Sequence, residues 1–64
     1  NTKYNSIKDL NNGYLIVSRD GKYGVITVEG LSTIPMIYDW IEYDNYHNRY
    51  IALKKAVWET ASLQ

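Results

Sequence analysis

Apolar and β-branched residues gather in two short runs, Tyr14-Leu15-Ile16-Val17-Ser18-Arg19 and Tyr23-Gly24-Val25-Ile26-Thr27-Val28. Arg19-Asp20-Gly21-Lys22 lies between them. Asp-Gly in a two-residue connection predicts a type I′ turn, because both central positions need φ > 0. Such a turn fixes the register. It sets Arg19 opposite Lys22, Ser18 opposite Tyr23, Val17 opposite Gly24, Ile16 opposite Val25 and Leu15 opposite Ile26. Alternation then puts Leu15, Val17, Ile26 and Val28 on one face and Tyr14, Ile16, Tyr23 and Val25 on the other. Both faces are largely apolar, so the hairpin needs cover on both sides, which an isolated two-stranded piece cannot supply.

The remaining pattern is also that of strands. Asn11-Asn12-Gly13 and Glu29-Gly30 read as turns on either side of the hairpin. Leu31–Tyr38 is apolar, but Pro35 lacks an N–H and predicts an edge position or a strand end. Tyr38–Tyr43 alternates as a short strand, Asp44–Arg49 is polar and turn-like, and Tyr50-Ile51-Ala52-Leu53 is a fourth apolar run. The tail, Lys54–Gln64, supports two readings. Leu53, Ala56, Val57, Thr60 and Ala61 fall at helical spacing, while Val57-Trp58-Glu59 can equally continue as a strand. The fold class expected is mainly β, an antiparallel meander of β-hairpin repeats, with a short C-terminal helix as the alternative for the tail.

Two segments echo each other. Tyr4-x-x-Ile7 and Tyr38-x-x-Ile41 are separated by 38 − 4 = 34 residues, Tyr14–Val17 and Tyr50–Leu53 by 50 − 14 = 36, and Tyr23 and Trp58 by 58 − 23 = 35. Similar apolar and aromatic order at a nearly constant offset predicts duplicated hairpin units, 4–37 and 38–64, within a single small domain over 1–64.

Asp20-Gly21-Lys22-Tyr23-Gly24-Val25-Ile26 resembles the core motif of the bacterial WG repeat family, a Gly-Lys-Trp-Gly β-hairpin, with Tyr23 in the tryptophan position. Ile34-Pro35-Met36-Ile37-Tyr38-Asp39-x-Ile41 is similar to the family's Ile-Pro-x-x-Tyr-Asp-x-Ile continuation. Upstream, Tyr4-x-x-Ile7 and Gly13–Val17 resemble the end of one unit and the opening strand of the next. The match covers roughly residues 4 to 53. Lys55-Ala56-Val57-Trp58-Glu59 departs from it, with no Asp-Gly turn and no glycine after the aromatic, which puts a second intact hairpin in doubt. The resemblance implies a non-catalytic scaffold or interaction role. It carries structural residues only: Asp20 and Gly21 for the turn, Tyr23 for the ring across the sheet, and Gly24, whose missing side chain leaves room for Val17 or a neighbouring ring.

Composition sharpens this picture. The chain has 64 residues, seven basic and seven acidic, and no cysteine. A folded chain of this mass exposes ~4,250 Å² and buries only ~60% of its unfolded surface, near the floor for independent folding. With no disulfide or thiolate metal site to staple it, the chain is expected to rely on neighbours, either further repeats of its own chain, a protein partner or a homo-oligomer. Asn1 at the start and Met36 as the single methionine predict a processed chain or part of a longer one. No basic stripe offers to displace counterions from phosphates, so nucleic acid is not an expected partner. The apolar runs are too short to span a bilayer as helices, so no membrane insertion is expected. All nine aromatic residues are tyrosine or tryptophan, rings whose polar handles suit half-buried surfaces.

Candidate chemistry is sparse. His47, the single histidine, sits in the polar stretch 44–48 and reads as a solvated loop residue. The glycines are accounted for by turns and packing, not by a phosphate loop. Asp39, Glu42 and Asp44 lack the acidic alternation of a calcium loop, and on a strand Asp39 faces away from the other two. Neither a catalytic residue, a metal site nor a cofactor is expected, and the chain is not read as an enzyme. Tyr38–Tyr46 is the unusual stretch, with rings interleaved with acids. Its functional reading is a binding surface bearing Trp40, Tyr43 and Tyr46. Its structural reading buries Tyr38, Trp40 and Ile41 while the acids solvate an edge. Lys54, Lys55 and Arg49 follow closely enough for acid-to-base pairing between two copies. The function expected is a non-catalytic protein-interaction or scaffold module. The alternative is a carbohydrate-binding module using the exposed aromatics.

Overall fold

The computed structural model describes residues 3–63. Asn1, Thr2 and Gln64, the last of these ending the tail considered above, lie outside the described residues. Seven strands run in chain order: β1 (Ser6–Asp9), β2 (Tyr14–Arg19), β3 (Lys22–Thr27), β4 (Ser32–Tyr38), β5 (Trp40–Asp44), β6 (Arg49–Lys54) and β7 (Val57–Ala61). They form one antiparallel sheet in the order β1-β2-β3-β4 and a second in the order β5-β6-β7, so each strand pairs only with its sequence neighbours. The mainly β, antiparallel meander is the observed fold.

The central hairpin follows from its turn. Asp20 (φ 53°) and Gly21 (φ 81°) both occupy the left-handed region that a type I′ turn requires. The β2–β3 register from Arg19↔Lys22 to Leu15↔Ile26 is the expected one throughout. One face, with Ile16 and Val25, meets Ile34 of β4 and Ile41, Tyr50, Ala52 and Ala61 of the second sheet in the main core. Burying a side chain of this size stabilises by ~1.5–3 kcal/mol.

The other face of the hairpin is covered by an irregularity in β4. Tyr23 pairs with Tyr38 and Val25 with Ile34, so two steps along β3 are met by four along β4. Pro35 lies in this bulged segment of an edge strand, where its missing N–H breaks no ladder. A Cβ on Gly24 would lie 2.9 Å from the Ile34 carbonyl oxygen and 3.0 Å from Met36 Cα. Gly24 is opposite Val17 and shares its face. The bulged backbone of β4 therefore sits over that face, and it is main chain, not Val17 or a ring, that occupies the room glycine leaves. Val17 is fully buried there.

The tail is a strand, not a helix. Lys54 pairs with Val57, Leu53 with Trp58 and Ala52 with Glu59, around a turn whose central residues are Lys55 (φ 52°) and Ala56 (φ 66°). Two left-handed residues make the same type of turn as Asp20-Gly21, although neither is glycine. The Lys55 backbone N–H donates to Asp39 Oδ2 (3.2 Å), which anchors it. The helical spacing thus gives way to ladder hydrogen bonds with β6, and a second hairpin does form. The turns align at an offset of 55 − 20 = 35, which makes Leu15, not Tyr14, the positional counterpart of Tyr50.

Asp39 also marks the break between the two sheets. Its Oδ1 accepts from Lys22 Nζ (2.6 Å), so one carboxylate holds the flank of the first hairpin turn and the first central residue of the second. The Lys22 ammonium, with the Lys55 N–H behind it, holds the Asp39 carboxyl below its ordinary 3.8.

Candidate functional site

The three aromatic residues singled out in the sequence do not share a surface. Trp40 is 43% exposed and lies on the outer face of β5-β6-β7, with its ring 5.0 Å from that of Tyr23 between centroids. Tyr43, an odd number of residues along β5, turns to the opposite, inner face. There it is half-buried and meets the Tyr50 ring edge-on at 5.0 Å. Tyr46 is 88% exposed in the β5–β6 turn, against the His47 ring.

Trp40 is instead brought into register with two other residues. Trp40 pairs with Leu53 and Leu53 with Trp58, so the three form one cross-strand row on the outer face. Trp58 is 51% exposed. Adjacent strands lie ~4.8 Å apart, so the backbones that carry the two indoles stand roughly 10 Å apart across the leucine. The next row is Glu42–Ile51–Thr60, followed by the pair Asp44–Arg49. Arg49 Nε donates to Asp44 Oδ2 (3.2 Å) and Nη1 reaches Thr60 Oγ1 (3.5 Å). His47 Nδ1 is 2.8 Å from Asp44 Oδ2, and this contact, helped by Arg49, holds the Asp44 carboxyl below its ordinary 3.8. Acid and base thus meet within one chain at this margin.

The role of Trp58 was hidden in the sequence because Lys55-Ala56 carries no turn signal. The offset of 35 between Tyr23 and Trp58 carries the signal: applied to the Ser18–Tyr23 pair, it sets Leu53 opposite Trp58.

A second feature joins residues far apart in the chain. At one end of the sheet pair, an open cleft of about 470 Å³ is lined by Asn12 of the β1–β2 turn, Tyr14, Tyr43, Asn48 of the β5–β6 turn, Arg49 and Tyr50, and is bordered by the end of β7. Tyr14 and Tyr43 both meet Tyr50 edge-on, at 6.5 and 5.0 Å. Tyr50 is 4% exposed, and its hydroxyl lies by the Asn12 side chain without making a hydrogen bond of good geometry. Burial pushes the pKa of that hydroxyl above its ordinary 10.0, with the Asn12 side chain opposing. Asn48 (φ 52°) holds a left-handed turn position that asparagine tolerates, and its Oδ1 accepts from Tyr43 Oη at 3.3 Å.

No match is found among protein families, curated proteins or solved structures.

Proposed function

We propose that this chain is a non-catalytic protein-interaction module, built from WG-like β-hairpins, that docks a partner protein on the outer face of β5-β6-β7. The observation that carries the reading is the row Trp40–Leu53–Trp58, with two half-exposed indoles flanking an aliphatic side chain across three strands. Tryptophan is among the residues most enriched where interface energy concentrates, and an apolar centre with a polar margin is the usual anatomy of such patches. Glu42, Thr60 and the Asp44–Arg49 pair supply that margin with both signs of charge. A partner of matching chemistry presents an apolar anchor flanked by mixed charges. The WG-like motif contributes the scaffold: Asp20-Gly21 makes the turn, Tyr23 packs on Trp40, and Gly24 admits the bulge of β4.

The test is selection of a random displayed-peptide library on the folded chain. Enriched peptides carrying an aromatic or aliphatic anchor are expected, with binding at least tenfold weaker to Trp58→Ser and unchanged for Tyr46→Ser. Peptides that bind Trp58→Ser as well as the parent, or no enrichment at all, overturn the reading.

A further inference from the structure

The two hairpins turn opposite sides to the core. The offset of 35 between their turns carries Leu15, Val17 and Ile26 onto Tyr50, Ala52 and Ala61. The preceding strands agree, since Ile7 lies opposite Val17 as Ile41 lies opposite Ala52. Directly opposed residues of antiparallel strands share a face. In the second sheet that face, with Ile41, Tyr50, Ala52 and Ala61, is buried in the core. In the first sheet the same face points outward. Ile16 and Val25, which the second sheet covers, correspond in turn to Ile51 and Thr60 on the outer face of β5-β6-β7. The contact inside the molecule thus joins unlike faces, and it leaves one of each kind uncovered.

From this relation we infer that the partner docking on the outer face of β5-β6-β7 is a second copy of this chain, which presents the outer face of β1-β2-β3. The inference rests on the docking face proposed above and names its occupant. The chemistry of the two faces matches. The bulge of β4 covers the Val17 end of the first face, but Ile7 and Val28 are 44% and 59% exposed. With Tyr4, Leu15 and Ile26 they line a groove of about 240 Å³ that Lys3 and Glu29 border. That is an apolar anchor flanked by both signs of charge, which is what the indole row with its Glu42 and Arg49 margin takes. Seven acidic and seven basic residues leave no net charge to drive two copies apart. Three strands ~4.8 Å apart and five residues of ~3.3 Å make a face of roughly 15 Å by 17 Å. The contact therefore belongs with the small, weak interfaces.

The experiment is sedimentation of the whole chain at concentrations up to about 1 mM, where weak contacts are populated. The mean mass of the parent should rise with concentration and pass that of two chains, because a contact between unlike faces does not close on a pair. Ile7→Glu and Trp58→Glu each block one half of the contact at an exposed position. Each alone should weaken association about tenfold or more, since a carboxylate would be buried without a partner. Val28→Glu blocks the same half as Ile7→Glu and should behave alike. Trp58→Glu mixed with either of these retains one good contact, and the mixture should form a complex of two chains and no larger. Such a complex forms only if both variants are folded. A parent that stays at the mass of one chain, association that survives in Trp58→Glu alone, or failure of both mixtures to form a two-chain complex overturns the inference. The docking face itself is judged by the selected peptides. A chain that stays single but loses those peptides in Trp58→Ser keeps the face and loses the second copy as its occupant.

Discussion

Gly24 lies so close to Met36 that a methyl group on it would stand 3.0 Å from the Met36 Cα and 2.9 Å from the Ile34 carbonyl oxygen. Both neighbours are main chain in a bulged strand, and neither can rotate away as a side chain would. Gly24→Ala should therefore force β4 off the sheet at Pro35 and lower stability by ~1–3 kcal/mol through overpacking. Denaturant midpoints check it. A generic strand glycine would gain stability from the same change, because glycine is a poor strand former.

Gly21 presents the opposite case. Nothing lies within 4 Å of where its Cβ would be, so space is not the constraint, but its φ is 81°. Gly21→Val should lose ~1–2 kcal/mol or more from backbone conformation alone, since a β-branched residue fits that region worst. Thermal unfolding should show this as a fall of roughly 4–8 °C per kcal/mol. An unchanged midpoint would contradict the type I′ turn.

The Lys55-Ala56 turn holds two non-glycine residues in the left-handed region. Each such residue is strained by ~1–2 kcal/mol relative to glycine, partly offset by the greater freedom glycine has when unfolded. Lys55→Asn with Ala56→Gly should thus raise stability by ~1 kcal/mol. The Lys55 N–H that donates to Asp39 is backbone and survives the change. A loss of stability in the double variant would show that the lysine side chain contributes more than its conformation costs.

How far the fold was legible in the sequence follows from these turns. Asp20-Gly21 announces its geometry, and from it the whole β2–β3 register could be read. Lys55-Ala56 announces nothing. Its conformation is imposed by the pairing of β6 with β7 and by the Asp39 carboxylate, a residue sixteen positions away. The helical spacing of Leu53, Ala56, Val57, Thr60 and Ala61 competed with a strand reading, and tertiary pairing settled it. Pro35 correctly marked an edge strand, but the depth of the bulge, and the contact it makes on Gly24, depends on where β4 crosses β3. The sites were less legible. Trp40 stands out because it lies in a conspicuous aromatic stretch, whereas Trp58 shows only as the counterpart of Tyr23, and its pairing with Leu53 depends on a turn without glycine, asparagine or aspartate. The cleft joins the turn before β2, the β5–β6 hairpin and the end of β7, so no local pattern signals it.

Alkaline pH should expose the burial of Tyr50. Its folded pKa is raised above the ordinary 10.0. The contribution is therefore fully present below 10.0 and is lost as pH rises from there towards the folded value, because the unfolded chain gives up the proton first. Denaturant midpoints at neutral pH and above 10.0 should show this decline in the parent and a shallower one in Tyr50→Phe. At neutral pH the same variant should be at least as stable as the parent, since it removes a buried hydroxyl without a hydrogen bond of good geometry. Equal declines in the two proteins would contradict the assignment.

Every strand of this molecule pairs with the strand just before or after it in the chain, and no connection crosses over another. Each ladder can close as soon as the next few residues follow, at little loop-closure entropy. The meeting of the two sheets, where Ile16 and Val25 join Ile41, Tyr50, Ala52 and Ala61, brings together the core residues that are most distant in sequence. Short separations favour fast folding, in which local hairpins form before the sheets collapse on each other. A chain emerging from the ribosome would find the partner of each new strand already made at every step but β5, which opens the second sheet and waits only for β6.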